Sequence, residues 1–180
     1  MVNGFVEVSK DRSLIHSALP RVTEATTSIS FLPCDYMFSC SIPVGARPRG
    51  IGFSPDSKIA YVAAENASEV YVIDALEFNV LSRVKAGVRS NGISVHPDGK
   101  RVFISNGGDA SVSVLDVDSN TIKATVPVGQ RPWNMSLTPD GKKLYVACGR
   151  SGTVSVIDTD RNIKVADIAV GKLPWGVAIR

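Results

Sequence analysis

The chain has 180 residues, of which 44% are hydrophobic and 21% are charged, values typical of one water-soluble globular domain. Its 20 basic and 17 acidic residues give a formal net charge of +3, which is too small to indicate nucleic-acid binding by itself. No apolar run approaches the roughly 18 residues that a membrane span needs. The N-terminus also lacks the basic stretch and apolar core of a signal peptide.

From position 42 onward the sequence repeats itself with a period of 42 residues. Three full repeats cover 42–83, 84–125 and 126–167, and a partial repeat covers 168–180. Residues 1–41 form an atypical N-terminal segment without the repeat. The spacing is carried by one glycine and one proline in each unit: Gly45, Gly87, Gly129 and Gly171, and Pro55, Pro97 and Pro139.

Each full repeat contains four strand-sized segments separated by turn residues. In the first repeat these segments are RGIGFS, KIAYVAA, EVYVID and FNVLSRVKAG, and a Pro-Asp turn separates the first two. Four antiparallel strands in a unit of about 40–45 residues are typical of a β-propeller blade. We therefore predict an all-β fold, a partial β-propeller with three complete four-stranded blades and one further inner strand.

The number of strands leaves three arrangements open. The chain is the C-terminal part of a longer propeller with a replaced N-terminus, an open arc that pairs with another chain, or a compact four-bladed ring. In the last arrangement the N-terminal segment completes the fourth blade, with TSISFL and YMFSCSI as degenerate strands. In the first two, unpaired strand edges predict self-association.

The candidate ligand-binding residues come from the links between consecutive blades. In a propeller these links run near the mouth of the central channel, and here the sixth position of every full repeat is arginine. A ring of guanidinium groups with aromatic planes suits a small anionic ligand such as a carboxylate or a phosphate. The predicted site residues are Arg47, Arg89 and Arg131, with Arg49, Trp133 and Trp175 beside them.

A structural role for the same residues is the alternative. A residue that recurs in every unit often serves the unit itself, and the repeats also share an aspartate at the end of the third strand. The arginines would then form blade-to-blade ion pairs or brace carbonyl groups, and the tryptophans would pack between blades. The repeated aspartates are Asp74, Asp116 and Asp158.

The repeat resembles the YVTN-type β-propeller repeat. The resemblance is carried by the Gly-x-x-Pro link, the Pro-Asp-Gly turn, Tyr-Val-Ala and Val-Ser-Val-Ile-Asp. The ending VGKLPWGVAIR is similar to the last repeat of bacterial propeller proteins associated with pyrroloquinoline-quinone-dependent alcohol catabolism. This resemblance implies a seven-bladed ring, a periplasmic or secreted location, and binding rather than catalysis. Since the chain shows no signal peptide, a cytoplasmic location is the alternative.

The sequence shows no Ser-His-Asp spacing, no phosphate-binding glycine loop and no metal-binding motif. We therefore predict a non-catalytic module, not an enzyme, without catalytic residues, cofactor or metal, that binds a protein partner or a small anionic ligand and no membrane. Two alternatives remain: an electron-transfer accessory of quinone-dependent alcohol oxidation, with His96 as its one candidate ligand, and single-stranded nucleic-acid binding, which the weak charge disfavours. Cys34 and Cys40 are close enough in sequence for a disulfide, whereas Cys148 is expected to be a buried strand residue.

Overall fold

In the computed structural model, residues 28–31 and 40–179 are described, and their regular structure consists of β-strands. An N-terminal pair of strands is followed by three sheets of four strands. The first strands are β1 (Ser28–Phe31), β2 (Cys40–Pro43), β3 (Pro48–Phe53), β4 (Ile59–Ala64), β5 (Glu69–Asp74) and β6 (Asn79–Lys85). The next are β7 (Ser90–Val95), β8 (Arg101–Asn106), β9 (Ser111–Asp116) and β10 (Thr121–Pro127). The last are β11 (Pro132–Leu137), β12 (Lys143–Cys148), β13 (Thr153–Asp158) and β14 (Ile163–Ala169).

Each four-stranded sheet is antiparallel, and its strands pair in the order in which they follow one another along the chain. Blade 1 consists of β3–β6, blade 2 of β7–β10 and blade 3 of β11–β14. Equivalent strands begin 42 residues apart, as the repeat requires. The prediction of an all-β partial propeller is confirmed.

The Pro-Asp turns connect the first two strands of each blade. In each turn the fourth residue after the strand donates its N–H to the carbonyl of the residue before the proline, at 2.8–2.9 Å. This residue has a left-handed φ of 60–72°, a conformation that glycine adopts without a steric penalty. Glycine closes two of the turns and serine closes the third: Gly99, Gly141 and Ser57.

Apolar layers between neighbouring sheets form the core. Burial of one large apolar side chain contributes about 1.5–3 kcal/mol, so each layer holds its two sheets together. The layer between blades 1 and 2 contains Tyr61, Val72 and Val84 from one sheet and Val102, Ile104 and Leu115 from the next. The layer between blades 2 and 3 contains their repeat equivalents, among them Phe103, Val114 and Val126 facing Leu144, Val146 and Ile157.

The first strands of the blades lie side by side along a common axis, since β7 contacts both β3 and β11. Their backbones approach each other too closely for a side chain. A Cβ atom added at Gly50 would lie 2.3 Å from the Asn91 carbonyl oxygen, and one added at Gly92 would lie 2.5 Å from that of Trp133. Gly50 in β3 and Gly92 in β7 therefore allow the close spacing of the blades.

Both ends of the described chain extend this stack of blades. β1 pairs with β2, and Ile29, Ile42 and Val44 pack on the free face of blade 1. Residues 171–179 run beside β11, where the Ser136 hydroxyl donates to the Val177 carbonyl at 2.8 Å. Residues 171–179 form no strand, so the predicted inner strand is absent from this described segment.

The candidate cysteines and histidine have the following positions. Cys148 is fully buried, as expected, whereas Cys34 and the side chain of Cys40 lie outside the described residues. His96 is buried at the turn side of blade 2, where its Nε2 lies 2.9 Å from the Arg101 guanidinium and 3.2 Å from the Gly141 carbonyl oxygen. Its ring therefore connects blade 2 to blade 3 through the contacts with Arg101 and the Gly141 carbonyl. Within the described ranges, no helix is long and apolar enough to cross a membrane.

The pKa values of the three turn aspartates, Asp56, Asp98 and Asp140, lie below the usual value. At Asp56 and Asp140 the main cause is the hydroxyl of the residue before the proline, followed by a backbone N–H. At Asp98 burial raises the pKa, but hydrogen bonds from the Lys100 N–H and the neighbouring side chains outweigh it. Because the folded pKa is lower than the unfolded one, this stabilisation is present above about pH 4 and is lost as the pH falls through the folded value.

Replacing all three aspartates together (Asp56→Asn, Asp98→Asn and Asp140→Asn) should make the Tm fall less steeply as the pH is lowered. Wild type should have the higher Tm at neutral pH, and its advantage should shrink below about pH 4, where the aspartates take up protons. Thermal unfolding followed by circular dichroism at a series of pH values measures this difference. A difference in Tm that stays constant down to about pH 2 would contradict the assignment.

Candidate functional site at the channel mouth

The backbone of the blade links fixes the direction of the repeated arginines. Arg47, Arg89 and Arg131 have left-handed φ values of 60°, 59° and 57°. In each link the arginine carbonyl accepts an N–H at 2.9–3.0 Å from the residue that follows the second strand of the same blade. A left-handed conformation costs a non-glycine residue about 1–2 kcal/mol, so these hydrogen bonds hold a conformation that the arginines would not adopt alone.

All four predicted arginines contact one carboxylate, that of Glu65, which is only 1% exposed. Its Oε2 lies 3.3 Å from Arg47 Nε and 3.1 Å from Arg49 Nε. Its Oε1 lies 3.3 Å from Arg89 Nε and 3.4 Å from Arg131 Nη2. These five residues, which we call the arginine cluster, come from all three blades and meet where the sequence places the channel mouth.

The aspartates proposed as alternative ion-pair partners have a different role. Asp74, Asp116 and Asp158 accept backbone N–H groups of their own turns at 2.8–3.0 Å. These carboxylates therefore shape the turn after the third strand. The ion pairs of the repeated arginines converge on Glu65 and are not repeated from blade to blade.

The arginine cluster has more positive than negative charge. One carboxylate faces four guanidinium groups, whose side chains are 18–44% exposed, so the five residues carry an excess of three positive charges. Burial lowers the pKa of Arg131, and the charge of Arg89 lowers it further, while Glu65 acts in the opposite direction. Arg131 still remains a cation at neutral pH. Such an excess attracts an anion to the mouth.

Glu65 was not predicted from the sequence because it does not recur in the other repeats. The equivalent positions of the other two repeats are Gly107 and Gly149, so Glu65 is an exception within an otherwise glycine position. A Cβ atom added at Gly149 would lie 2.3 Å from the Trp133 ring. Comparison of the repeats at this position would have drawn attention to the one carboxylate.

The predicted tryptophans lie at the blade 3 side of the mouth. Trp133 and Trp175 stack on each other with ring centroids 4.2 Å apart and an interplanar angle of 16°. The Trp133 ring covers Gly149, whose N–H donates to the Arg131 carbonyl at 3.0 Å. The six predicted residues thus form two groups, four arginines around Glu65 and a stacked tryptophan pair.

The chemistry available at this site is anion binding and proton transfer. Guanidinium groups donate paired hydrogen bonds to carboxylate and phosphate and stabilise an oxyanion. A carboxylate can accept a proton from water. Among the described residues, no group of three or more His, Cys, Asp or Glu side chains could hold a metal ion.

Three stacked four-stranded sheets around an axis, with charged links at one end, define a β-propeller. The model of one propeller family, described as lactonase, seven-bladed β-propeller, matches residues 27–168. The chain belongs to this lactonase family. No curated protein sequence matches the chain.

Solved structures agree with the propeller fold. The chain is similar to hydrazine synthase from Kuenenia stuttgartiensis, with a TM-score of 0.79, 21% identity, and coverage of 94% of this chain and 50% of that one. A functionally unknown protein from Desulfotomaculum acetoxidans is similar with a TM-score of 0.76 and 14% identity, over 90% of this chain and 56% of that one. A candidate 6-phosphogluconolactonase from Bacteroides fragilis is similar with a TM-score of 0.71 and 26% identity, over 86% of this chain and 52% of that one. The chain therefore spans about half the length of each of these proteins, and the first two show the fold alone.

These comparisons correct one expectation and support another in part. The prediction that the chain is not an enzyme is wrong, because the matched family is one of lactonases and a structural neighbour is a candidate lactonase. The propeller part of the sequence resemblance is supported by the match to the lactonase family, and the YVTN type and the quinone association stay predictions. The periplasmic location, the protein partner and self-association stay predictions.

Removal of the central carboxylate should destabilise the chain and make its stability depend on anions. In Glu65→Gln the four guanidinium groups lose their common partner, which should cost on the order of 3 kcal/mol, as for other broken buried ion pairs. Inorganic phosphate should then raise the Tm of the variant more than that of wild type, since it binds the folded state only. Differential scanning fluorimetry over a phosphate series measures both effects.

Glu77→Gln is the matched control, because Glu77 is an exposed carboxylate in a turn of blade 1. It should leave both the Tm and the phosphate response unchanged. If phosphate raises the Tm of neither wild type nor Glu65→Gln, the excess charge does not bind anions.

Proposed function

We propose that the arginine cluster hydrolyses a lactone that carries an anionic group. The observation that supports this most directly is the nearly complete burial of Glu65 within 3.1–3.4 Å of four guanidinium groups. Membership of the lactonase family supplies the class of reaction, and the excess positive charge supplies the preference for an anion.

Hydrolysis at this site needs one base and one oxyanion partner. The oxygen of a water molecule attacks the lactone carbonyl carbon while the Glu65 carboxylate takes up one water proton. The carbonyl oxygen becomes an oxyanion, which a guanidinium group stabilises by hydrogen bonds. The tetrahedral intermediate then breaks the bond between the carbonyl carbon and the ring oxygen, and the proton passes from Glu65 to that ring oxygen. The product is the open hydroxy acid.

The arginines have hydrogen-bond donors left for this work. Each guanidinium has five N–H donors, and a single contact with Glu65 uses only part of them. Arg89 is the most exposed of the four, with 44% of its side chain accessible, and Arg47 and Arg49 are each 30% exposed. These groups can therefore contact a ligand without leaving Glu65.

The test compares two lactones that differ only in the anionic group. Because the Bacteroides fragilis neighbour is a candidate 6-phosphogluconolactonase, the first substrate is 6-phosphoglucono-δ-lactone, and glucono-δ-lactone is its uncharged counterpart. Hydrolysis of the phosphorylated lactone should exceed the spontaneous rate, with a higher kcat/KM than for the uncharged one. Proton release in a pH-stat measures both rates. No acceleration of either lactone by the purified chain would refute the proposal.

Two variants separate the roles of the base and of the cations. Glu65→Gln should lower kcat by about 10²–10⁴, the usual contribution of a general base. Arg131→Ala should chiefly raise KM for the phosphorylated lactone and leave that of glucono-δ-lactone nearly unchanged. Arg161→Ala removes an exposed arginine in a turn of blade 3 and is the matched control. An equal effect of Arg131→Ala and Arg161→Ala would exclude the arginine cluster as the anion site.

A further inference from the structure

Glu65 contacts its four arginines through two different oxygen atoms. Its Oε2 lies 3.3 Å from Arg47 Nε and 3.1 Å from Arg49 Nε, and these two arginines stand at the start of blade 1. Its Oε1 lies 3.3 Å from Arg89 Nε and 3.4 Å from Arg131 Nη2, which come from the starts of blades 2 and 3. One oxygen is therefore bound within the blade of Glu65 itself, and the other is bound by the two following blades.

The contacts within blade 1 hold Glu65 in place. Its backbone N–H donates to the Arg47 carbonyl at 2.9 Å, and the next N–H, that of Asn66, donates to the Ala46 carbonyl at 3.1 Å. Arg49 Nε donates to Oε2 of the carboxylate at 3.1 Å. Both the backbone and the side chain of Glu65 are thus fixed by their own blade, so its position does not depend on Arg89 or Arg131.

The two arginines on Oε1 have hydrogen-bond donors left over. Arg89 reaches Glu65 through Nε and Arg131 through Nη2. Their other guanidinium nitrogens make no hydrogen bond to another residue that the structure describes. The backbone of Arg89 is itself held, because its N–H donates to the Ser68 hydroxyl at 3.1 Å. Arg89 and Arg131 can therefore bind an anion together while they keep their contacts with Glu65.

An anion bound in this way changes the chemistry of Glu65. Only a guanidinium group would separate the anion from Oε1, so the two negative charges would lie close together. A negative charge near a carboxylate raises the affinity of that carboxylate for a proton, just as a positive charge lowers it. Since Glu65 is 1% exposed, solvent and salt screen this interaction only weakly. Glu65 is therefore a stronger base with the anion bound than without it.

We propose that an anion bound by Arg89 and Arg131 activates Glu65 as the base, so that the charged group of the substrate accelerates hydrolysis as well as binding. With the anion in place, Oε1 takes up the proton of the attacking water more readily and passes it to the ring oxygen as the bond from the carbonyl carbon breaks. This inference rests on the proposed function. It makes the site selective for anionic lactones in kcat as well as in KM, and a free anion should activate it towards an uncharged lactone.

The first experiment supplies the charge and the lactone as separate molecules. The substrate is glucono-δ-lactone and the probe is inorganic sulfate, which carries two negative charges and does not titrate near neutral pH. Sulfate should raise kcat severalfold and reach saturation, whereas sodium chloride at equal ionic strength, which only screens charges, should not. Proton release in a pH-stat measures these rates. A kcat that stays constant or falls as sulfate is added would overturn the proposal.

Substitution of one cation distinguishes activation from simple anchoring of the substrate. Arg89→Gln removes a positive charge from the surroundings of Oε1 and so imitates the bound anion. It should hydrolyse glucono-δ-lactone faster than wild type without sulfate, and sulfate should activate it less. Arg161→Gln changes an exposed arginine in a turn of blade 3 and should keep both wild-type values. A sulfate-free rate that Arg89→Gln leaves unchanged or lowers would contradict the coupling between this arginine and the base.

A binding measurement tests the coupling without any lactone. Because coupling is reciprocal, uptake of a proton by Glu65 should strengthen the binding of sulfate. In calorimetric titrations the sulfate affinity of wild type should therefore rise as the pH falls towards about 4, and it should rise less in Glu65→Gln. An equal rise in both proteins would contradict the inference.

The two measurements also separate this inference from the proposed function. If wild type shows the steeper pH dependence of sulfate binding but hydrolyses neither lactone, only the proposed function is refuted. If it hydrolyses 6-phosphoglucono-δ-lactone but sulfate does not activate the hydrolysis of glucono-δ-lactone, only the activation is refuted.

Discussion

The apolar layers between neighbouring sheets determine where every side chain of the channel mouth lies. Each layer joins one blade to the next with equivalent residues, such as Val84 and Ile104 in the first layer and Val126 and Val146 in the second. Because this arrangement recurs every 42 residues, the links between blades all arrive at one end of the common axis. Residues far apart in sequence, such as Glu65 and Arg131, therefore meet without any local sequence pattern that joins them.

The regular scaffold carries an irregular site. Two of the three equivalent positions after the second strand are glycine, and the third is Glu65. That single carboxylate turns a group of like charges into a cluster with one anion among four cations. Like charges alone would repel each other, and their common contact with Glu65 explains how Arg89 and Arg131 can lie together at one partly buried place.

The sequence was sufficient for the blades, the turns and the meeting of the arginines, because each of these follows from a pattern that repeats. The sequence did not predict Glu65, which departs from the repeated pattern. It also gave the wrong partner for the arginines, since Asp74 and its equivalents accept hydrogen bonds from turn amides instead. The lactonase family was not predicted because the sequence shows no motif with a diagnostic spacing, such as that of a catalytic triad. The C-terminal inner strand was predicted from its residues, but the backbone hydrogen bond from Asn134 to Trp175 does not extend into the ladder that a strand requires.

The left-handed backbone of the three link arginines has an evolutionary consequence. Glycine at Arg47, Arg89 or Arg131 would relieve an unfavourable conformation, but it would also remove a guanidinium contact with Glu65. The backbone therefore favours glycine at these positions, whereas the ion pairs favour arginine. Under the proposed anion binding, a lineage of such propellers that no longer binds the anion should drift towards glycine there.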